Sequence, residues 1–486
     1  MTREFKGLYI GGRWWHPGRT FDDLNPADGS VWARVPDGGL AETRAAIDAA
    51  QAAFPAWAAR PFQERSHLMI KVAEVFEKRK ADLIEALRYE GGGWIGKGMF
   101  ESGYVPEVFH AAAASNYAAI GEVLPSENGK LSLALRRPMG VITCISPWNF
   151  PSLLTARGIA FALAAGNTVV LKPSEETPYT GGLIFAEVFE EAGVPPGVLN
   201  VLTCSREQVA SVGDELIDHP RIKGISFTGS TPVGRMIAAR AGAHLKKACV
   251  ELGGKDALIV CDDADLERAT AAANFGSFMH QGQICMSVEK VLVQEGIFEP
   301  FLRRFVERAA KLKVGDPTKD PSHIIGPLIN DKQAAKVREQ IEDAVAQGAR
   351  VALGGGVRGR YVEPTILLGV TPRMKVYQEE TFGPVVPVIP FRTDEEAVAI
   401  ANDTEYGLSS GVITRDEARG LAIAARLDTG MCHINCSSVN DEPHVPFGGS
   451  KASGLGRHGG RWSHETFTET RWITLDRGGR PYPPMF

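Results

Sequence analysis

No run of apolar residues approaches the roughly 20 needed to cross a bilayer, so a helical membrane protein is not expected. The opening segment, MTREFKGLYIGGRWW, has no apolar core of the kind a secretory signal needs, and the expected location is the cytoplasm. Cysteine is scarce. The seven, Cys144, Cys204, Cys249, Cys261, Cys285, Cys432 and Cys436, are odd in number, scattered through apolar stretches and never spaced C-x-x-C. That excludes a disulfide scaffold and the common paired zinc ligands. Cys432 and Cys436 bracket His433, but MCHINC reads as a buried strand, and no metal site is expected. Neither sign of charge dominates: the net charge is -5, without a run of like charges. Nucleic acid is therefore not an expected partner, because phosphate binding needs a concentrated basic face. There is no internal repeat and no low-complexity tract. What remains is a chain of 486 residues, 44% hydrophobic and 23% charged, which is a soluble globular composition spread over two to four units with ample core.

Periodicity supplies the architecture. A helix is expected over Ala41–Phe54. A long amphipathic helix is expected over Glu64–Tyr89, from Leu68, Val72, Phe76, Leu83 and Leu87, and is stopped by Gly91 to Gly93. After Gly140, apolar strands alternate with helices: strands at Val141–Ser146, Thr168–Leu171, Leu199–Thr203 and Gly224–Phe227, helices at Ser152–Ala165, Tyr179–Ala192 and Thr231–Ala241. A second series runs from Ala257 to about Asn435, with strands at Ala257–Cys261, Lys290–Gln294 and Val385–Phe391. Its helices are Leu266–His280, Phe298–Leu312 and Lys332–Gln347. Such alternation predicts two α/β units with parallel sheets. Glu122–Arg137 reads as a polar hairpin turning at Asn128-Gly129, and Arg471–Arg477 as a strand. Both fit neither series and could pair with another subunit.

Several residues could carry chemistry, each with a plainer alternative. Cys285, in HQGQICMS, is a possible nucleophile or an inert small hydrophobe. Glu251 ends the strand Lys247–Val250, where ligands of open α/β sheets bind; it could be a general base or a solvated turn residue. Asn149, in the rigid turn PWNFP, could donate to an oxyanion or simply shape the turn. Ser226–Gly234 leads into a helix whose N-terminus could hold a pyrophosphate, or be capped by Ser230 or Thr231. Lys172, Ser174 and Glu175 follow a second strand, where a Lys and a Glu suit ribose hydroxyls or lie on the surface.

Taken in order, PWNFP (Pro147–Pro151), KPSE (Lys172–Glu175), FTGST (Phe227–Thr231), ELGGK (Glu251–Lys255), GQIC (Gly282–Cys285), EETFGPV (Glu379–Val385) and PFGGSKASGLGR (Pro446–Arg457) strongly resemble the aldehyde dehydrogenase superfamily. The resemblance covers nearly the whole chain. It implies a modified Rossmann NAD-binding domain (1–121 and 139–251), a second α/β catalytic domain (252–452) and a small β oligomerisation element (122–138 and 467–486), in a homodimer or homotetramer. It further implies Cys285 as nucleophile, Asn149 and the Cys285 N–H as oxyanion hole, and Glu251 as the base for hydrolysis. Trp148, Lys172, Ser174, Glu175, Gly229, Ser230, Glu380 and Phe382 become the contacts to NAD, with NADP possible.

A second Glu follows the GLGR-type stretch in many members; here that position is His458, a proton relay or a structural residue. The stretches FMHQGQICMS, VNDEPHVPF and FTETRWITL look most like the benzaldehyde, vanillin and salicylaldehyde dehydrogenases. Phe150 and Phe447 could stack on an aromatic ring or pack on an alkyl chain. Arg157 could bind a ring hydroxyl or carboxylate, or be a structural salt-bridge partner. The expected substrate is thus a small aromatic aldehyde, the alternatives being an aliphatic aldehyde or semialdehyde. A CoA-acylating enzyme and a non-catalytic cofactor-binding protein are disfavoured because Cys285 and Glu251 are both present.

Overall fold

The structure is a computed structural model and describes residues 3–118, 121–479 and 482–485. The few remaining positions of the expected domain spans lie outside the described residues.

The first sheet is built on five parallel strands: β1 (Val141–Ile145), β2 (Thr168–Lys172), β3 (Leu199–Val201), β4 (Ile222–Thr228) and β5 (Lys247–Glu251). Their spatial order is β5-β4-β1-β2-β3. Strands covered on both faces can be apolar throughout, as the fully buried TVVLK of β2 is. The order reverses beside β1, so the ends of β1 and β4 diverge into a crevice, the usual ligand position of such sheets. Two helices start there: α1 (Pro151–Ala164), opened by a proline in its first turn, and α2 (Thr231–Ala243). The chain also returns late, with Gly454–Leu455 pairing antiparallel to β5.

The second sheet has a parallel core of β6 (Asp256–Val260), β7 (Val288–Gln294), β8 (Thr365–Leu368), β9 (Val385–Phe391) and β10 (Ser410–Ile413), ordered β8-β9-β7-β6-β10. A third, antiparallel sheet joins the strands Gly121–Leu124, Leu131–Pro138 and Thr468–Leu475. The hairpin and the late strand thus pair with each other within the chain, and the sheet's two outer edges stay open.

Two expectations need correction, and one helix was not anticipated. The helix over Glu64–Tyr89 is two helices, Phe62–Lys78 and Lys80–Gly91, which break at Arg79, whose side chain reaches Glu187 and Glu191. A 21-residue helix, Ile95–Ser115, escaped notice: its Gly96, Gly98, Gly103 and Pro106 argue against a helix, and packing overrides them. MCHINC contributes only the two-residue strand His433–Ile434, half-buried at the sheet edge. No helix among the described residues is long and apolar enough to cross a membrane.

Candidate active site

The thiol is presented by a tight loop. After the helix Leu266–Phe278, three successive residues take left-handed backbone: His280 (φ 48°), Gln281 (φ 56°) and Gly282 (φ 69°). Non-glycine residues held there cost about 1–3 kcal/mol each and persist only where surroundings impose them. The imposition is visible. Gln281 donates through Nε2 to the carbonyl of Pro327 (2.9 Å) and to that of Gly92 (3.2 Å), and the Ile329 N–H donates to Gln283 Oε1 at 3.0 Å. A Cβ on Gly282 would stand 2.2 Å from the Gly383 carbonyl oxygen, so only glycine fits. The loop sets Cys285 where two cavities meet, and none of the other six cysteines lines either. Burial, with the carboxylates of Asp256 and Glu380, pushes the Cys285 thiol well above its ordinary range. Asn149 also borders both cavities. Its Nδ2 donates to the Gln283 carbonyl at 3.0 Å, which fixes the amide and leaves one N–H free.

The larger cavity, about 510 Å³, lies at the crevice of the first sheet. Gly229 and Ser230 line it at the start of α2. Ser230 occupies the cap position, yet its side chain makes no capping bond, so the first N–H groups of the helix remain available to an anion. Ser174 and Glu175 line the cavity as well, and Glu175 is joined by Arg206 at 3.1 Å. Nothing in the sequence pattern singled out Arg206, which arrives from a loop 31 residues further on. Lys172 stays behind the wall, buried, donating to the Pro173 carbonyl and 3.8 Å from Glu175. Opposite, Trp148 meets Phe382 edge to face (5.3 Å). Glu380 accepts from the Gly254 N–H at 3.1 Å, and burial raises its carboxyl to about 7. The loop carrying Glu380 and Phe382 is pinned by Glu289, which accepts from the N–H groups of Thr381 and Phe382. Free helix N–H groups for a pyrophosphate, carboxylates for ribose hydroxyls and flat aromatic walls fit a dinucleotide.

The smaller cavity, about 240 Å³, is an apolar tunnel walled by Phe150, Leu153, Leu154, Met279 and Phe447. Phe150 is held edge-on to His280 (5.3 Å), with the Lys97 ammonium 4.7 Å from its ring. Lys97 pairs with Glu101 inside the protein, and Glu101 accepts from the N–H groups of Ser152 and Leu153, fixing the start of α1. Arg157 is an ion-pair partner that also borders the tunnel. It is paired to the buried Asp441, 3.4 Å from the Tyr104 hydroxyl and 4.0 Å from the Phe447 ring. Asp441 and Tyr104 were not foreseen, since a partner 284 residues away leaves no local signal.

Glu251 stands at the end of β5, 3% exposed, and lines neither cavity. Neither of its carboxyl oxygens has a well-formed hydrogen bond among the described residues, and burial, offset in part by the nearby Gly449 N–H, holds the group well above the usual carboxylate range.

A dinucleotide-sized cleft and a narrow apolar tunnel, meeting at one cysteine on paired doubly wound sheets, are the arrangement of a nucleotide-dependent oxidoreductase. The sequence matches the Aldehyde dehydrogenase family over residues 14–473, and the chain belongs to that family. It is 43% identical to a vanillin dehydrogenase of Pseudomonas fluorescens over 96% of each chain, and 43% identical to a benzaldehyde dehydrogenase of Bacillus subtilis over 99% of each. A solved salicylaldehyde dehydrogenase from Pseudomonas putida, complexed with salicylaldehyde, superposes with a TM-score of 0.97 at 40% identity, covering 99% of this chain and 100% of that one. The protein is an NAD(P)-dependent aldehyde dehydrogenase, an enzyme that oxidises an aldehyde to the carboxylic acid.

Proposed function

We propose that the substrate is a small aromatic aldehyde of the benzaldehyde or vanillin kind, that NAD is preferred, and that the reaction runs through a thioester on Cys285. The observation that carries the substrate class is the tunnel: Phe150 and Phe447 wall a volume of about 240 Å³ that ends on Cys285, with Arg157 at its side. The relatives named for vanillin, benzaldehyde and salicylaldehyde support it.

In this mechanism the cleft holds the cofactor by Gly229 and Ser230 at the pyrophosphate, Glu175 and Glu380 at the riboses, and Trp148 and Phe382 along its length. A nicotinamide bound there would supply the acceptor for the hydride lost from the aldehyde carbon. Cys285 Sγ, once deprotonated, attacks the carbonyl. The free N–H of Asn149 and the Cys285 backbone N–H face the resulting oxyanion; one such donor contributes about 3 kcal/mol. Collapse leaves an acyl group on sulfur. Glu251 then turns from behind the wall and takes a proton from the attacking water, and the acid departs.

We assign residues 1–121 and 139–251 to cofactor binding, 252–452 to catalysis and 122–138 with 467–486 to oligomerisation. The third sheet supports a homodimer or homotetramer: Val123 and Trp472 are more than two-thirds exposed on its open strands. The deciding experiment is NADH formation with benzaldehyde and vanillin against hexanal and succinic semialdehyde. An aromatic aldehyde should lead in kcat/KM. A tenfold lead for an aliphatic one, about 1.4 kcal/mol in the transition state, would overturn the substrate class.

A further inference from the structure

Behind the tunnel wall lies a pocket of unpaired polar groups. Cys249, Glu251 and His458 are all buried, and one donor atom from each lies within 4.8 Å of the others. Cys249 and Glu251 alternate along β5 and so share a face. His458 arrives from the loop after Gly454–Leu455. It is fixed by a backbone pair with Phe447: the His458 N–H donates to the Phe447 carbonyl at 2.9 Å, and the Phe447 N–H donates back at 3.0 Å. Neither nitrogen of its 1%-exposed ring has a hydrogen-bond partner among the described residues. Unpaired polar groups this deep are rare and costly. Glu251 and His458 are two of them, and a polar atom of one lies within 4.8 Å of a polar atom of the other.

We infer that His458 is a positioning residue for Glu251: a ring nitrogen accepts the Glu251 O–H and parks this carboxyl behind the tunnel wall. The inference rests on the reading of Glu251 as the deacylating base.

The electrostatics agree in direction. Burial, reinforced by the Arg157 charge, lowers His458 to about 3, so its ring stays neutral and can accept. Burial raises Glu251, so the carboxyl can donate; Arg157, Arg457 and the Gly449 backbone N–H oppose this and Asp441 adds to it. Cys249, on the same strand, and Cys285, from the nucleophile loop, are the other titratable groups facing this carboxyl. A hydrogen bond to the neutral acid favours the protonated form. His458 therefore raises the pH at which Glu251 ionises, leaves the pocket and becomes a base.

The test uses the full-length enzyme and two readouts. One is the infrared band of the protonated Glu251 carboxyl, identified by its absence in Glu251→Gln, followed against pH. The other is the pH dependence of deacylation, from the decay of acyl-enzyme. In His458→Phe both midpoints should fall by about half to one pH unit, the effect of one ordinary hydrogen bond, and His458→Gln, which restores an acceptor, should bring them back toward wild type. His458→Met serves if the phenylalanine variant does not fold. A folded apolar variant with both midpoints unchanged overturns the inference. A shifted band with an unshifted deacylation profile upholds the contact and overturns Glu251 as the base instead.

Discussion

Arg157 has two jobs, and substitution can separate them. Its guanidinium is 4% exposed and paired with Asp441, which is itself buried. Arg157→Met removes one charge and strands the other, a change that costs about 3–5 kcal/mol when the remaining charge has no way out. Arg157→Met/Asp441→Leu removes both and should be at least as stable as wild type, which places it about 3–5 kcal/mol or more above the single variant. The double variant therefore isolates the effect on substrate. If a spare N–H of Arg157 donates to a ring hydroxyl, its loss removes a charged hydrogen bond of about 1.5–3 kcal/mol, roughly ten- to a hundredfold in rate. Benzaldehyde, which has no hydroxyl, should be nearly unaffected. The assays are urea unfolding for stability and kcat/KM for salicylaldehyde relative to benzaldehyde. A stable double variant with an unchanged ratio would refute the substrate contact, and a single variant as stable as wild type would refute the buried pair.

Two further outcomes follow from named contacts. Glu175→Gln should lower kcat/KM with NAD more than with NADP, because the carboxylate accepts from a ribose 2′-hydroxyl and repels a 2′-phosphate, a repulsion that Arg206 softens at 3.1 Å; a wild-type enzyme faster with NADP would contradict the preference. Lys290, buried with its Nζ donating to the Asp403 carbonyl at 3.1 Å, is lowered to about 7, chiefly by burial. A lysine with a depressed folded pKa costs stability in full below that value, and the cost fades as pH rises toward the unfolded value. The stability of wild type relative to Lys290→Met should thus climb between pH 7 and 9, by up to about 1.4 kcal/mol per unit, and parallel pH profiles would refute it.

The parts of the site legible in the sequence are those fixed by local geometry. Glu251 ends a strand, Asn149 sits in a proline-bounded turn, and Gly229-Ser230 precedes a helix, so strand and turn signals alone put them near one crevice. Cys285 needed the wider pattern of motifs, since a lone cysteine looks the same in a core. The break at Arg79 was hidden because apolar spacing runs unchanged across it from Phe76 to Leu83. The helix Ile95–Ser115 was hidden because eleven of its residues are buried, so it lacks the polar stripe that marks a surface helix. Arg206 and Tyr104 come from segments far from the motifs, Asp441 lies in VNDEPHVPF but 284 residues from Arg157, and only the fold brings these partners to the cavities. The retreat of Glu251 behind the wall is a side-chain choice among His458, Cys249 and Gly448, and motif spacing does not encode it.

The account turns on a covalent acyl group at Cys285 that Glu251 releases. Glu251→Gln is nearly isosteric and keeps an N–H that can donate where the protonated carboxyl would, so the variant should fold and acylate while its base-assisted step slows by about 10²–10⁴. The direct measurement is intact mass and peptide mapping of that variant, acid-quenched after mixing with benzaldehyde and NAD. The account predicts one benzoyl group per subunit on the peptide that contains Cys285, formed with one equivalent of NADH. No adduct, or an adduct on another cysteine, would contradict it.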